Sequence, residues 1–199
     1  MSDKNPKIIG LTGSIGMGKS ETAKIFERAN IPVFDSDAAV HDLMAKNGAA
    51  LESIEKTFPG VSGPDGIDRV ALGARVFGNT EALQKLESIL HPMVSDRQQA
   101  FFRQKQDHDL VVMDVPLLFE KGGEKNCNYV VVVTAPAEIQ RQRVLARPHM
   151  TVEKFEQILA KQMPDKEKRQ RADFIVYTDQ GISHAEQQVA EIITKIRTG

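Results

Sequence analysis

Gly13-Ser14-Ile15-Gly16-Met17-Gly18-Lys19-Ser20 is the stretch on which the fold turns. It has the form G-x-x-x-x-G-K-[ST], it follows the apolar run Ile8-Ile9-Gly10-Leu11, and it opens the helical pattern Lys19 to Ala29. Glycines at those positions let the backbone turn tightly enough for several N–H groups to face one concavity, and the following helix directs its positive end there. A strand before and a helix after make this a phosphate cradle. Lys19 is then placed to reach the β- and γ-phosphates of a nucleotide, and Ser20 to offer a hydroxyl to Mg²⁺. The expected nucleotide-binding set runs from Gly13 through Ser20 and includes Glu21, the next residue of the helix.

Working outward, short apolar runs bounded by turns predict buried parallel strands at Lys7 to Leu11, Pro32 to Phe34, Leu110 to Asp114, Tyr129 to Thr134 and Phe174 to Tyr177. Helical patterns lie between them. The last spans Ser183 to Arg197, with Ala185, Val189, Ile192, Ile193 and Ile196 on one face and Ser183 and Glu186 as a capping-box pair. Strand and helix alternation predicts an α/β fold of the P-loop NTPase type, a doubly wound five-stranded parallel sheet. Two stretches break the rhythm. From Asp37 to about Gln106 only helical patterns are legible, interrupted at Pro59-Gly60, Gly63-Pro64 and Asp65-Gly66. From Val144 to Ala172 a second helical stretch is dense in Lys and Arg, which by charge pattern alone is a solvated face.

Bulk properties narrow the function classes. The chain has 199 residues, 41% hydrophobic and 27% charged, with a formal net charge of −1, so one domain with a substantial core is expected and a broad polyanion-binding surface is not. No apolar run approaches the ~18 residues of a membrane span. The polar opening Met1 to Lys7 has no apolar signal region, and the single cysteine, Cys127, has no internal disulfide partner, so a cytoplasmic protein is expected. An Asn-Lys-x-Asp segment is absent, which disfavours a signalling GTPase, and helicases or transport ATPases need more chain. A small-molecule kinase using ATP fits the length best.

The acceptor side is read from the other strand ends, where ligands of open α/β sheets bind. Asp35 and Asp37 stand at the carboxyl end of the second strand, and Asp37 is the expected base that orients an acceptor hydroxyl and takes its proton. The alternative is that these aspartates cap the following helix, Ser36 to Ala45. Asp114, ending the third strand, has the position of a Walker B carboxylate that holds Mg²⁺. His91-Pro92 lies inside a helical pattern, where proline is expected to kink the helix at or before His91; the kink either presents His91 to a ligand or serves packing.

These segments together resemble the dephospho-CoA kinase family. The resemblance runs in order through Ile9 to Ser20, Val33-Phe34-Asp35-Ser36-Asp37, Leu90-His91-Pro92, Val115-Pro116-Leu117-Leu118-Phe119-Glu120, Gln140 with Arg143 and Arg147, Gln162, and Ala172-Asp173-Phe174. It implies transfer of the ATP γ-phosphoryl group to the ribose 3′-hydroxyl of dephospho-CoA. It also implies a core over about residues 1–36, 107–143 and 173–199, a helical acceptor-binding insertion over about 37–106, and a helical lid over about 144–172. In the family the second Asp of Asp-x-Asp is the proposed base, which is Asp37 here, and lid arginines contact phosphate, which maps to Arg143 or Arg147. His91, Pro92, Leu118 and Glu120 fall to the acceptor side. Glu21, His41, Arg147-Pro148-His149 and Tyr177-Thr178-Asp179-Gln180-Gly181 depart from the family's usual pattern. The expected assembly is a monomer or weak homo-oligomer. Competing readings are a kinase of a nucleoside, nucleotide or other small alcohol, and a nucleotide-gated switch.

Overall fold

The computed structural model describes residues 6–199 and divides them into two compact units, Asp35–Gln104 and the remainder. The remainder holds the central sheet. Its strands are β1 (Lys7–Thr12), β2 (Val33–Asp35), β5 (Leu110–Asp114), β6 (Tyr129–Thr134) and β7 (Phe174–Tyr177), in spatial order β2-β5-β1-β6-β7. They form a parallel sheet, with Leu11 opposite Asp114 on one side and Val131 on the other. Burial explains the runs: β5 is buried at every residue, as is β6 from Val130 onward, because helices cover both faces. The chain returns to opposite sides of β1, so the crevice at its carboxyl end is a topological switch point.

Helices α1 (Lys19–Arg28) and α9 (Ile182–Thr198) pack together on one core with the sheet, built from residues such as Phe26, Ile9, Leu110, Val189 and Ile196. Arg28 adds an exposed ion pair to Glu186 at 2.8 Å. That pair corrects the predicted capping box. Helix α9 begins one residue earlier than its apolar periodicity suggests, its N-cap is Gly181, and no side chain caps it. Ser183 therefore lies inside the first turn, and Glu186 reaches across to α1 instead. Helices α6 (Ala137–Leu145), α7 (Val152–Leu159) and α8 (Asp165–Arg171) complete this unit. A second small core, Leu118, Phe119, Val130 and Val132, takes in Met163 and Ala172 at the edges of α8.

The other unit is helical, with α2 (Ser36–Met44), α3 (Leu51–Thr57), α4 (Arg69–Val76) and α5 (Thr80–Gln104) around Leu43, Ile54, Phe58, Leu72 and Leu90. It is not purely helical. Ser62–Gly63 (β3) and Gly66–Ile67 (β4) pair as a short antiparallel hairpin across the turn at Pro64-Asp65, and two-residue strands are too short to show a period. Helix α5 runs unbroken through Pro92. Proline removes one backbone bond there, but Leu86, Ile89, Leu90, Met93 and Val94 pack into the same core on either side of it. Among the described residues no helix is long and apolar enough to cross a membrane.

Candidate active site

The cradle leaves β1 at the switch point and ends in the N-terminus of α1. Gly18 is the N-cap, with φ 94°, and no side chain caps the helix. The first N–H groups of a helix have no partners within it, so this end is left to attract an anion. Two glycines are required by the packing. A Cβ at Gly16, where φ is +78°, would lie 2.4 Å from Val144 Cγ2, and one at Gly18 would lie 3.0 Å from Thr178 Oγ1. The loop is gripped by its neighbours: Ala135 N–H donates to Met17 Sδ at 3.1 Å, and Thr178 Oγ1 donates to Met17 O at 2.8 Å.

Lys19 and Asp114 come together as an ion pair at the crevice, the lysine side chain 16% exposed and the aspartate 3%. This brings together the lysine that the sequence assigns to nucleotide phosphates, at the start of α1, and the aspartate it assigns to Mg²⁺, at the end of β5. Ser20 is exposed in the first turn of α1. Glu21 points its carboxylate at Lys24 on the helix surface, 2.7 Å away.

Arg143, on α6, uses both terminal nitrogens on Thr178, one to Oγ1 at 2.9 Å and one to the carbonyl at 2.7 Å. Thr178, one of the departures from the family pattern, thereby links α6 to the cradle. Arg147 lies just beyond α6, exposed, with its N–H on Val144 O. Gln140, also on α6, donates from Nε2 to Ile15 O at 2.8 Å, while Gln162 Oε1, from the turn between α7 and α8, accepts the Ile15 N–H at 3.0 Å.

Leu118 is fully buried, and Glu120 engages the chain itself: its Oε1 accepts from Met163 N at 2.7 Å and from Lys168 Nζ at 2.9 Å. Burial pulls the Glu120 carboxyl upward, yet the Lys168 ammonium and the Met163 N–H outweigh it and hold the value below that of an ordinary glutamate. Lys168 has no exposed surface at all, and sequence reasoning missed it. It sits in a run that reads as solvated, and the only hint is Glu120 closing an apolar segment, a charge that a buried environment obliges to find a cation. Two more basic residues there are tied down, Arg169 to Asp165, and Arg171 to Glu124 with its guanidinium over the Phe119 ring.

In the helical unit, the two aspartates separate by role. Asp35 caps α2, accepting the Ala38 N–H at 2.9 Å, whereas Asp37 lies exposed in the first turn with the cap already supplied. His91 and Pro92 are exposed on α5, against which α2 packs, and His41 is exposed near the end of α2.

The dephospho-CoA kinase family model matches residues 7–184. A dephospho-CoA kinase from Novosphingobium aromaticivorans is 54% identical over 192 residues, covering 96% of each chain. Among solved structures, one from Thermus thermophilus has 34% identity and a TM-score of 0.86, covering 98% of this chain and 100% of that one. The Campylobacter jejuni dephospho-CoA kinase has 25% identity and a TM-score of 0.66 with the same coverage. With the cradle, the Lys19–Asp114 pair and the five-stranded sheet in place, the chain belongs to the dephospho-CoA kinase family, kinases that use ATP as co-substrate.

Proposed function

We propose that this chain transfers the γ-phosphoryl group of ATP to the ribose 3′-hydroxyl of dephospho-CoA, giving CoA and ADP, the last step of coenzyme A biosynthesis. The observation that carries the acceptor is the family match along nearly the whole chain, since the phosphate cradle by itself is common to many kinases. Gly13 through Ser20 hold the polyphosphate, and Lys19 meets the β- and γ-oxygens as charge develops on them. Ser20 and Asp114 would hold Mg²⁺ through a hydroxyl and a carboxylate, oxygen donors that suit a hard cation which commonly takes one or two protein oxygens and completes its shell with phosphates and water. When bound there, Mg²⁺ would supply neutralisation of phosphate charge.

Asp37 orients the 3′-hydroxyl and takes its proton, a role left to it because Asp35 is engaged as the cap. His91, Pro92, Leu118 and Glu120 belong to the acceptor side, the last two through the loop they stiffen. Residues 37–106 form the acceptor-binding insertion and 144–172 the lid, whose closure excludes water and brings Arg147 to the phosphates, while Arg143 beside it acts on the phosphate site through Thr178. The proposed setting is the cytoplasm, with a monomer or weak homo-oligomer as the working unit. Incubation with MgATP and dephospho-CoA should yield ADP and CoA in equal amounts, and Asp37→Ala should lower kcat far more than it raises the KM for ATP. No CoA above a control without enzyme, alongside turnover of a nucleoside, nucleotide or other small alcohol, refutes the acceptor.

A further inference from the structure

Ile15 is the one residue of the cradle whose peptide groups are both taken by side chains. Its carbonyl accepts from Gln140 Nε2 at 2.8 Å, and its N–H donates to Gln162 Oε1 at 3.0 Å. The two glutamines come from different elements. Gln140 is buried on α6, whose Val144 lies against Gly16, so it belongs to the same rigid wall as the cradle. Gln162 belongs to the turn between α7 and α8, and that turn is fastened to the sheet at separate points. Met163 N–H and Lys168 Nζ both reach Glu120, after β5, and Asp165 Oδ1 accepts from Thr134 Oγ1 at the end of β6 at 2.9 Å.

A carbonyl held on one side leaves a peptide free to rock about its flanking bonds. The Ile15 N–H belongs to the Ser14–Ile15 peptide and its C=O to the Ile15–Gly16 peptide, so holding both fixes the two planes on either side of the Ile15 Cα and with them its φ and ψ. Ile15 precedes Gly16, which has φ +78°, a conformation open to neighbouring alternatives because glycine has no Cβ. Without the second anchor the Ile15-Gly16 segment has more conformations to lose when a polyphosphate arrives, and fixing one residue's backbone costs about a factor of ten in affinity.

We propose that Gln162 is a positioning residue for nucleotide binding: with Gln140 it clamps the backbone of Ile15 on both sides of its Cα and so preforms the phosphate cradle from the α7–α8 turn. Gln162 acts through the cradle and does not itself touch the reacting atoms. The inference builds on the proposed kinase reading, but its test does not need the acceptor.

The experiment measures ADP binding by calorimetry, with MgATP and dephospho-CoA kinetics alongside, for Gln162→Met, Gln140→Met and the double variant. Methionine keeps the length of glutamine and removes the hydrogen-bonding groups. Gln162→Met should weaken ADP binding about ten-fold and raise the KM for ATP similarly, with kcat and the KM for dephospho-CoA within about two-fold, because only the free cradle is disordered. Since both glutamines are needed to fix the φ and ψ of one residue, the double variant should bind ADP about as weakly as the worse single one. Thermal unfolding of Gln162→Met without nucleotide should fall by no more than about 4 °C, the cost of one hydrogen bond, so the change in ADP affinity does not come from general unfolding. Unchanged ADP affinity, a loss confined to kcat, or full additivity in the double variant overturns the proposal. If the parent binds ADP but makes no CoA, the acceptor reading fails while the glutamine comparison still decides this one.

Discussion

Replacing Asp114 by Asn removes one charge with almost no change in volume, and the consequence is set by where its partner sits. Lys19 keeps 16% of its side-chain exposure and Asp114 only 3%, so the ammonium is left with little water and no counter-charge. Removing one partner of a buried ion pair costs about 3–5 kcal/mol. The residual exposure of Lys19, and the hydrogen bond that the Asn carbonyl can still accept, put the expected loss at the lower end, about 3 kcal/mol. For a chain of this size that is a fall in Tm of roughly 6–12 °C, at about 2–4 °C per kcal/mol. The assay is thermal unfolding of parent and Asp114→Asn, repeated with saturating ADP in the absence of magnesium so that a metal site does not enter. Phosphate should replace the lost carboxylate as the partner of Lys19, and the gap between the two proteins should narrow. A gap below about 2 °C without ADP, or one that ADP leaves unchanged, refutes the argument that the pair is a buried interaction handed over to the nucleotide.

Glu120 gives a prediction in pH. Its folded value lies below the ordinary 4.5, so its carboxylate contributes stability that is complete above that value and is lost as pH falls through the lowered one; the parent's advantage over Glu120→Gln in urea unfolding should shrink below about pH 4, and a constant gap down to pH 2 refutes it. Cys127, pushed up to about 11 by burial and then by the Glu124 charge, should react with a disulfide reagent at pH 8 far more slowly in the folded protein than in urea, and equal rates overturn that. For the arginines, Arg143→Ala should mainly raise the KM for ATP and Arg147→Ala should mainly lower kcat; the reverse pattern would exchange their roles.

The sheet was legible because a parallel strand covered on both faces has to be apolar along its buried length, as Leu110 to Met113 and Val130 to Val133 are. The cradle was legible because its glycines and Lys19 are demanded by local geometry that few other residues satisfy. Other features depend on partners far along the chain, and a local pattern holds no trace of them. Glu186 has the spacing of a capping box, yet Arg28 lies 158 residues away in sequence and claims its carboxylate. Lys168 stands among solvated charges and is itself buried because the Glu120 carboxylate and the Pro116 carbonyl give its ammonium partners there. The hairpin at Ser62–Gly63 and Gly66–Ile67 is shorter than the shortest stretch in which alternation is visible.

The same contrast separates the two arginines that the family resemblance could not. Thr178 has one hydroxyl proton. Its closest acceptor is Met17 O at 2.8 Å, against 3.4 Å for Thr134 O, so the proton goes to the cradle and the oxygen lone pairs are left for Arg143. The guanidinium of Arg143, held also by the Thr178 carbonyl, is thus the outer end of a chain that runs through the hydroxyl to the backbone of Met17. An arginine fixed in that way stiffens the ground-state cradle, an effect felt equally by bound ATP and by the transition state, and so it belongs in KM. Arg147 is exposed beyond the end of α6, where its backbone and not its guanidinium is bonded. A long cationic side chain of that kind can follow charge as it moves from the γ-phosphoryl group to its acceptor, an interaction strongest in the transition state and therefore expressed in kcat.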